Sequence, residues 1–302
     1  MEDIERIKER LDNIHSIQPI ITSLRTIAAG SWSSGLRRLQ GCREFSANLL
    51  DVIADVWPLV DTEWAMAQGF VRETLPLRNV LVLVVASEQG LCGAYNDTVL
   101  TGADELLGQL RIKANQVQVA TLGARALDHF RRSNIEPVRA YTAPITRLPS
   151  LDLVGEISDD LQGMLASGQF DAIEVVYAPY VPGQLAPPTM TRWLPVSAAL
   201  LPSRQEQWPP PIIETNPSVL FQRSARQYRD VRLFELITES ACSEHAARYR
   251  SMDAASTNLS NLVEELTQSY HSARQHAITM EMLDLVAGSG MLRKPSGQRE
   301  SD

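Results

Sequence analysis

The sequence has few of the features that mark secreted, membrane-spanning or disulfide-rich proteins. Its 302 residues include only three cysteines, far apart in the chain, and aromatic residues make up 6%. Three scattered cysteines do not form a disulfide framework, and none has the spacing of a zinc site. No run of apolar residues approaches the length of about 20 that a membrane span needs. The charged N-terminus lacks the apolar core of a secretory signal. We therefore expect a protein of a reducing compartment that meets a membrane only through partners.

A basic surface and an obvious active site are also missing. The net charge of -8 and the pI near 5.3 argue against a general nucleic-acid binder. The five histidines do not form metal-binding clusters with carboxylates, and no paired carboxylates suggest a catalytic cleft. The residues therefore predict no cofactor, no metal and no nucleic-acid partner.

The C-terminal part lacks both helix-breaking residues over a long stretch. From Ser218 to Ala287 there is no glycine and no proline. Such a stretch of about 70 residues would form a helix of roughly 105 Å, which requires a partner helix or a long cavity. One line of a seven-residue register consists of Met252, Leu259, Leu266, Ala273 and Met280. The second line has Ala255, Leu262 and Leu283 and is interrupted by Ser269 and His276, so the seam is expected to fade toward the C-terminus.

The N-terminal part, from Ile4 to about Trp57, has a helical pattern as well. Pro19 predicts a kink or a break inside it, and Pro58 predicts its end. Gly30, Gly35 and Gly41 would let another backbone come close. The apolar stripe consists of Ile4, Ile7, Leu11, Ile14, Ile17, Ile21, Leu24, Ile27, Ala28, Trp32 and Leu39.

The middle of the chain alternates between strand and helix patterns, which is typical of a layered α/β domain. Predicted strands are Asn79–Ser87, Gln116–Leu122, Ala172–Tyr180 and Thr191–Ser197, and predicted helices are Asn96–Leu110, Ala124–Arg132 and Leu151–Leu165. The predicted domains are an N-terminal helix at 1–57, an α/β domain at 75–211, a C-terminal helix at 214–290 and a disordered tail at 291–302. The most economical arrangement pairs the terminal helices antiparallel beside the inserted domain.

The loop EQGLCGAYN at Glu88–Asn96 follows the first strand and allows three interpretations. It lacks the lysine and hydroxyl of a phosphate-binding loop and has GxxG instead of GxGxxG. Cys92 would need a neighbouring base to act as a nucleophile, and the nearest histidine, His129, lies in no motif. A tight turn with a small buried thiol is the structural alternative.

A basic line runs along the start of the C-terminal helix, where Arg223, Arg226, Arg229 and Arg232 recur at every third residue. Such a line can be a solvated face with acidic partners such as Asp230 and Glu235, or a contact with an acidic surface.

Three segments together resemble the gamma subunit of the F-type ATP synthase, as a divergent bacterial member. They are EQGLCGAYN at Glu88–Asn96, SEHAARYRSMDAASTN at Ser243–Asn258 and ARQHAITMEMLDLVAGS at Ala273–Ser289. The resemblance implies an α/β fold: a long antiparallel coiled coil of the N- and C-terminal helices with an inserted Rossmann-like α/β domain. It also implies a rotating, non-catalytic shaft without a nucleotide site. The implied partners are the alpha and beta subunits, the epsilon subunit and the c-ring, at the cytoplasmic face of the bacterial inner membrane.

The resemblance also implies site residues. Arg274, Gln275, Thr279 and Glu281 match positions that contact the beta subunits, and Glu214 matches a glutamate near the c-ring. The loop residues Gly90, Leu91, Cys92 and Gly93 are expected to be structural. Two alternatives remain, a coiled-coil scaffold and an oligomeric α/β protein with no ATPase role.

Overall fold

The computed structural model describes residues 2–71, 78–202 and 212–291, and the chain divides into two compact units. Unit 1 comprises residues 1–24 and 252–302, and unit 2 comprises residues 25–251. The helices are α1 (Glu2–Val56), α2 (Thr62–Ala67), α3 (Tyr95–Lys113), α4 (Ala124–Arg132), α5 (Leu151–Ala166) and α6 (Pro217–Met291). The strands are β1 (Phe70–Val71), β2 (Asn79–Val85), β3 (Gln116–Leu122), β4 (Arg139–Tyr141), β5 (Ala172–Tyr177), β6 (Tyr180–Val181), β7 (Gln184–Leu185), β8 (Thr189–Leu194) and β9 (Val196–Ser197).

Unit 1 is built from the start of α1 and the end of α6. The less exposed residues of α1 alternate at three- and four-residue spacing: Ile4, Ile7, Leu11, Ile14, Gln18 and Ile21. In α6, residues with this spacing are Met252, Ser256, Leu259, Val263, Leu266, Tyr270, Ala273 and Ala277, and the neighbouring Asp253, Ala255 and Thr267 are also half-buried. This spacing is that of a coiled-coil seam. Beyond Ala277, every residue from 278 to 287 is exposed.

The structure corrects the predicted seams. Ile17 and Ile27, expected on the stripe of α1, are 47% and 43% exposed. On α6, Ala255 of the predicted second line is half-buried, but Leu262, Ser269, His276 and Leu283 are exposed. From Val263 onward the line runs one residue later, through Val263, Tyr270 and Ala277. The predicted interruption by Ser269 and His276 is therefore wrong, because neither residue lies on the seam. Met280, predicted on the first line, is exposed as well.

Helix α1 is continuous through Pro19, so the predicted break there is wrong. It ends at Val56, where a 3-10 turn at Trp57–Leu59 containing Pro58 follows. The predicted tail at 291–302 lies, from residue 292 on, outside the described residues. In sequence, the two units are divided at 24/25 and 251/252, inside the terminal helices.

The centre of unit 2 is a five-stranded sheet in the order β4-β3-β2-β5-β8. All neighbouring strands are parallel except β5 and β8, which are antiparallel. The valine-rich β2 is buried on both faces, as its continuous apolar run predicts. Leu81, Leu83 and Val85 face a core shared with α1, α5 and α6, and Val80, Val82 and Val84 face one shared with α3 and α4.

Within unit 2, α1 and α6 are antiparallel, because residue numbers rise along α1 as those of its partners on α6 fall. In order, Trp32 meets Tyr249, Gly35 meets Cys242, Arg43 meets Glu239, and Trp57, just after α1, meets Phe221. Of the three glycines expected to admit a neighbouring backbone, Gly35 has a close neighbour, but it is a side chain: a Cβ there would lie 2.5 Å from the Sγ of Cys242. Gly30 and Gly41 have no neighbour within 4 Å.

Candidate functional site

The carboxyl ends of β2 and β5 define the place where an open α/β sheet most often binds a ligand. The chain passes from β2 outward through β3 to β4 and then returns to the other side of β2 with β5. The crevice at such a change of direction holds the nucleotide in dinucleotide-binding folds. Its chemistry in this chain is set by two segments, the loop after β2 and the end of β5.

Helix α6 occupies this crevice. The Ser240 hydroxyl lies 2.9 Å from the Tyr95 hydroxyl, at the start of α3, and accepts a hydrogen bond of 3.3 Å from the backbone N–H of Ala178, just after β5. Cys92, Tyr95 and Ala178 pack with Val99 and Ala247 into one small buried cluster. The position of a Rossmann ligand is thus filled by a helix of the same chain.

The loop after β2 has a fixed backbone that follows from its residues. The Ser87 hydroxyl donates to the carbonyl of Gln89 at 2.6 Å, and the Ser87 backbone N–H donates to Asn96 Oδ1. Gly93 has φ +58° and faces Ser251 of α6, with 3.7 Å between its ideal Cβ and the serine Cβ. Leu91 also has a positive φ of 63° although it carries a side chain, and that side chain is exposed.

Arg248 joins this loop to α6. Its Nη2 donates to the carbonyl oxygens of Gln89 (3.2 Å) and Gly90 (3.4 Å). Its Nη1 lies 2.6 Å from Glu244 Oε1, one turn earlier on α6. The Arg248 side chain is only 8% exposed. Removing water from an ion pair strengthens it but makes the loss of either partner costly.

Burial changes the protonation behaviour of the groups around Arg248. The pKa of His245 is lowered from 6.5 to about 4 by burial and then by the Arg248 charge. Its Nδ1 lies 3.3 Å from Arg248 Nη1, and because a guanidinium only donates, Nδ1 is the acceptor. Burial raises the pKa of Glu244 despite Arg248. Burial also raises the pKa of the Cys92 thiol, which is opposite to what a nucleophilic cysteine needs.

Glu88 ties the same loop to the rest of the sheet's carboxyl edge. Its Oε2 accepts from the backbone N–H of Ala124, at the start of α4, and from that of Ala143. Its negative charge at the beginning of a helix is favourable. The loop is therefore held from two sides, by α4 through Glu88 and by α6 through Arg248.

The residues predicted to contact beta subunits all lie in the exposed end of α6. Arg274, Gln275, Thr279 and Glu281 are exposed. The Thr279 hydroxyl donates to the Gln275 carbonyl at 2.8 Å, one turn back along the helix. Helical spacing places Arg274, Ile278 and Glu281 on one face. Arg274, Gln275, Thr279 and Glu281 belong to unit 1, whereas the loop after β2 belongs to unit 2.

Glu214, predicted from the resemblance to lie near the c-ring, is three residues before the start of α6 and is exposed.

The line of arginines at the start of α6 has acidic partners within unit 2. Asp159 of α5 lies 2.9 Å from Arg226 and 2.7 Å from Arg229, and Glu235 lies 2.6 Å from Arg232. Arg226, Arg229 and Arg232 therefore form ion pairs within the chain, as the first of the two interpretations of this line expects.

Sequence reasoning missed how Ser240, Tyr95 and Arg248 act together. Tyr95 lies in the motif Glu88–Asn96, and Arg248 lies about 150 residues later in the motif Ser243–Asn258. Ser240 precedes the second motif and belongs to neither. The signal that could have found them is the small, uncharged face at Ser240, Ser243 and Ala247 of α6, since a helix with such a face can approach a loop closely.

Comparison with known proteins gives a family match over nearly the whole chain. Residues 3–292 match the family model described as ATP synthase. A curated relative from Acaryochloris marina, named ATP synthase gamma chain, is 28% identical over 97% of this chain and 100% of its own length. One from Moorella thermoacetica with the same name is 25% identical over the same shares of the two chains.

Solved structures are similar in fold. A chain in the cryo-EM structure of the Euglena gracilis mitochondrial ATP synthase, described as OSCP/F1/c-ring, has a TM-score of 0.65 at 13% identity and covers 100% of this chain and 99% of its own. A chain of the Tetrahymena thermophila mitochondrial ATP synthase, described as central stalk/c-ring, has a TM-score of 0.54 at 16% identity and covers 78% and 99%. The predicted fold class, long N- and C-terminal helices with an inserted α/β domain, is confirmed.

Proposed function

The chain belongs to the ATP synthase family, and from this we propose that it is the central-stalk rotor subunit, the gamma chain, of an F-type ATP synthase. In this role it couples ion flow through the c-ring to ATP synthesis or hydrolysis by rotating inside the ring of alpha and beta subunits. The supporting observation is the division of α6 into a buried part in unit 2 and an exposed end in unit 1. A rotor needs one part that is held firmly and another that changes its contacts.

We propose a non-catalytic part in the enzyme complex for this chain. The crevice that would hold a nucleotide contains Ser240 of α6, and the Cys92 thiol has a raised pKa. Coupling would then come from differential contacts: each beta subunit meets a different face of the shaft and has a different nucleotide affinity, and rotation exchanges the three.

The exposed end of α6 is the proposed contact with the beta subunits. Arg274, Gln275 and Glu281 project polar groups there, next to exposed apolar side chains. These apolar residues are Ile278, Met280, Met282, Leu283, Leu285 and Val286. Polar groups among apolar neighbours suit a surface that must be released and remade at each step.

The foot of the stalk is proposed near Glu214, where exposed Ile212 precedes it. Partners at this end would be the epsilon subunit and the c-ring, at the cytoplasmic face of a bacterial inner membrane. In the described residues, no helix combines the length and apolar character that crossing a bilayer requires. Attachment to the membrane is therefore assigned to the partners.

Assembly is the first test of this function. The full chain is co-expressed with alpha and beta subunits from the same source, and the product is analysed by size exclusion and ATPase assay. We expect a complex with one copy of this chain and activity that depends on it. If the chain elutes as a separate dimer and the alpha–beta activity is unchanged, the coiled-coil scaffold is the better description. A separate α/β oligomer would favour the other alternative.

Substitutions at the exposed end test the proposed contacts. We expect Arg274→Ala combined with Gln275→Ala to lower the coupled ATPase and proton pumping of the assembled complex. The control is His276→Ala, which is equally exposed and points away from the face of Arg274 and Ile278. Equal effects of the two variants would contradict a specific contact.

Glu214→Gln is expected to reduce pumping while ATP hydrolysis by the detached soluble part continues.

A further inference from the structure

A shaft that transmits torque needs a stiff joint between its helices and the α/β domain, and the structure contains a candidate. Apolar packing resists separation well but resists sliding poorly, because dispersion contacts have little directional preference. Hydrogen bonds and ion pairs are directional and resist sideways displacement. The joint should therefore be sought where polar groups cross between α6 and the domain without access to water.

The contacts of Arg248 meet this requirement. Its guanidinium crosses from α6 to two consecutive backbone carbonyls, those of Gln89 and Gly90, and is held from behind by Glu244 at 2.6 Å. Because the acceptors are backbone atoms, displacement of the arginine pulls on the chain itself and not on a rotatable side chain. The same loop is tied to α4 through Glu88 and continues directly from the central strand β2.

A second group of contacts keeps this attachment in register. The Tyr95 hydroxyl and the Ala178 N–H both meet Ser240, two turns before Arg248 on α6. Gly93 places its backbone against Ser251, on the other side of Arg248. Attachments before and after Arg248 leave the helix little freedom to turn about its own axis against the domain.

On the basis of the proposed rotor function, we propose that Arg248 is the torque joint of this chain, a positioning residue whose guanidinium locks the Gln89–Gly90 backbone to α6 so that the α/β domain and the helix turn together. The interaction acts through the loop and touches no nucleotide. Its loss should make the joint compliant and also lower stability, because Glu244 is left buried without its partner. The packing of Cys92, Tyr95 and Ala247 remains and holds α6 against the domain.

The test measures torsional stiffness in the assembled complex. The alpha and beta subunits are fixed to a surface, and a gold rod is attached through Ile112→Cys, a position that is 86% exposed at the end of α3, in a Cys42→Ala background. The variance of the rod angle during pauses is inversely proportional to the stiffness. We expect Arg248→Met to increase this variance at least about twofold, because its directional bonds are removed. Pumping per ATP hydrolysed should fall in parallel.

Two further variants keep the outcome decisive. Arg248→Lys retains a charge for Glu244 but lacks the fork that reaches two carbonyls, so we expect an intermediate variance. Arg250→Met removes a half-exposed arginine two residues along the same helix and should leave variance and pumping at the values of the unaltered chain. If Arg248→Met does not assemble, Arg248→Lys decides alone.

The outcomes separate the joint from the rotor function. If the unaltered chain assembles and rotates but Arg248→Lys and Arg248→Met have its angular variance, the joint proposal is wrong and the rotor function remains. If the unaltered chain forms no rotating complex, the function itself is wrong. A lowered melting temperature with unchanged variance would assign Arg248 a structural role and overturn the proposal.

Discussion

The two parts of helix α6 have the same backbone and opposite surroundings. In unit 2, residues 217–251 bury charged and polar side chains, among them Glu235, Glu239 and Arg248. In unit 1, residues 252–291 have only a narrow seam, and Met252 and Leu266 are the buried hydrophobic residues there. Helical propensity cannot produce this difference, because neither part contains a glycine or a proline between Ser218 and Ala287. The difference comes from the residues that face the helix.

This comparison indicates how one helix can serve two purposes. Where the helix must be fixed, it carries groups that are satisfied only by specific partners, as Ser240 is by Tyr95 and Ala178. Such groups specify one arrangement, since any other leaves them unpaired. At the end that is proposed to change partners, polar groups such as Arg274 and Glu281 are exposed.

The largest effect is expected from a change to the rigid unit at Gly123, between β3 and α4. Its φ is +99°, and a Cβ there would lie 2.3 Å from the carbonyl oxygen of Ala86. Because both the conformation and the space exclude a side chain, Gly123→Ala should destabilise unit 2 by more than about 4 kcal/mol. Urea unfolding followed by circular dichroism, or loss of soluble complex, would detect this.

Gly108→Ala is the control for Gly123→Ala. It lies inside α3 with nothing within 4 Å of its ideal Cβ. Because alanine favours helix over glycine, this variant should gain up to about 1 kcal/mol. Similar losses from the two variants would show that the carboxyl edge of the sheet is not specially constrained.

The next largest effect tests the seam in unit 1. Leu266 is 8% exposed and lies on the seam, and Leu262 is 40% exposed and lies beside it. We expect Leu266→Ala to cost about 3 kcal/mol and Leu262→Ala less than about 1 kcal/mol. Thermal unfolding of the full chain would compare them. Equal losses of stability in the two variants would indicate that Leu262 lies on the seam, as the sequence predicts.

This second prediction also indicates where sequence reasoning succeeds and where it stops. The strand Gln116–Leu122 and the helix Ala124–Arg132 have the bounds that their patterns predict, since each faces a continuous apolar core. The short strand β4 (Arg139–Tyr141) was missed because exposed edge residues carry no apolar alternation. The seam of α6 was misplaced by one residue because Tyr270 and Ala277 are weaker apolar signals than Leu262 and Leu283.

The candidate site was only partly accessible from the sequence. The motif at Ser243–Asn258 was recognised, but its contact with the loop at Glu88–Asn96 depends on tertiary packing that no local pattern encodes. The resemblance supplied residues at the exposed end and at Glu214, which remain predictions. The attachment through Arg248 required distances between segments that are remote in the chain.

A moderate effect is expected at the close contact between α1 and α6. Gly35→Ala would place a Cβ 2.5 Å from the Sγ of the buried Cys242 and should cost about 2 kcal/mol. Gly30→Ala, with open space around it, should gain up to about 1 kcal/mol. Adding Cys242→Ala to Gly35→Ala should recover much of the loss, since the clashing atom is removed. Strict additivity in this double-mutant cycle would contradict a direct contact.

The last effect appears only in acid, where the pH dependence of stability distinguishes the buried His245 from the exposed His271 and His276. The pKa of His245 is 6.5 when unfolded and about 4 when folded, so the unfolded state binds the proton more readily between these values. Stability contributed by the neutral histidine is therefore complete above pH 6.5 and is lost as the pH falls toward 4, with a slope of at most about 1.4 kcal/mol per pH unit. The raised pKa of Glu244 opposes this loss, because the folded state takes up that proton first.

We expect His245→Gln to flatten the dependence of the urea midpoint on pH in this window, and His271→Gln to leave it unchanged. A steeper loss of stability in His245→Gln than in the unaltered chain would contradict the role assigned to this histidine.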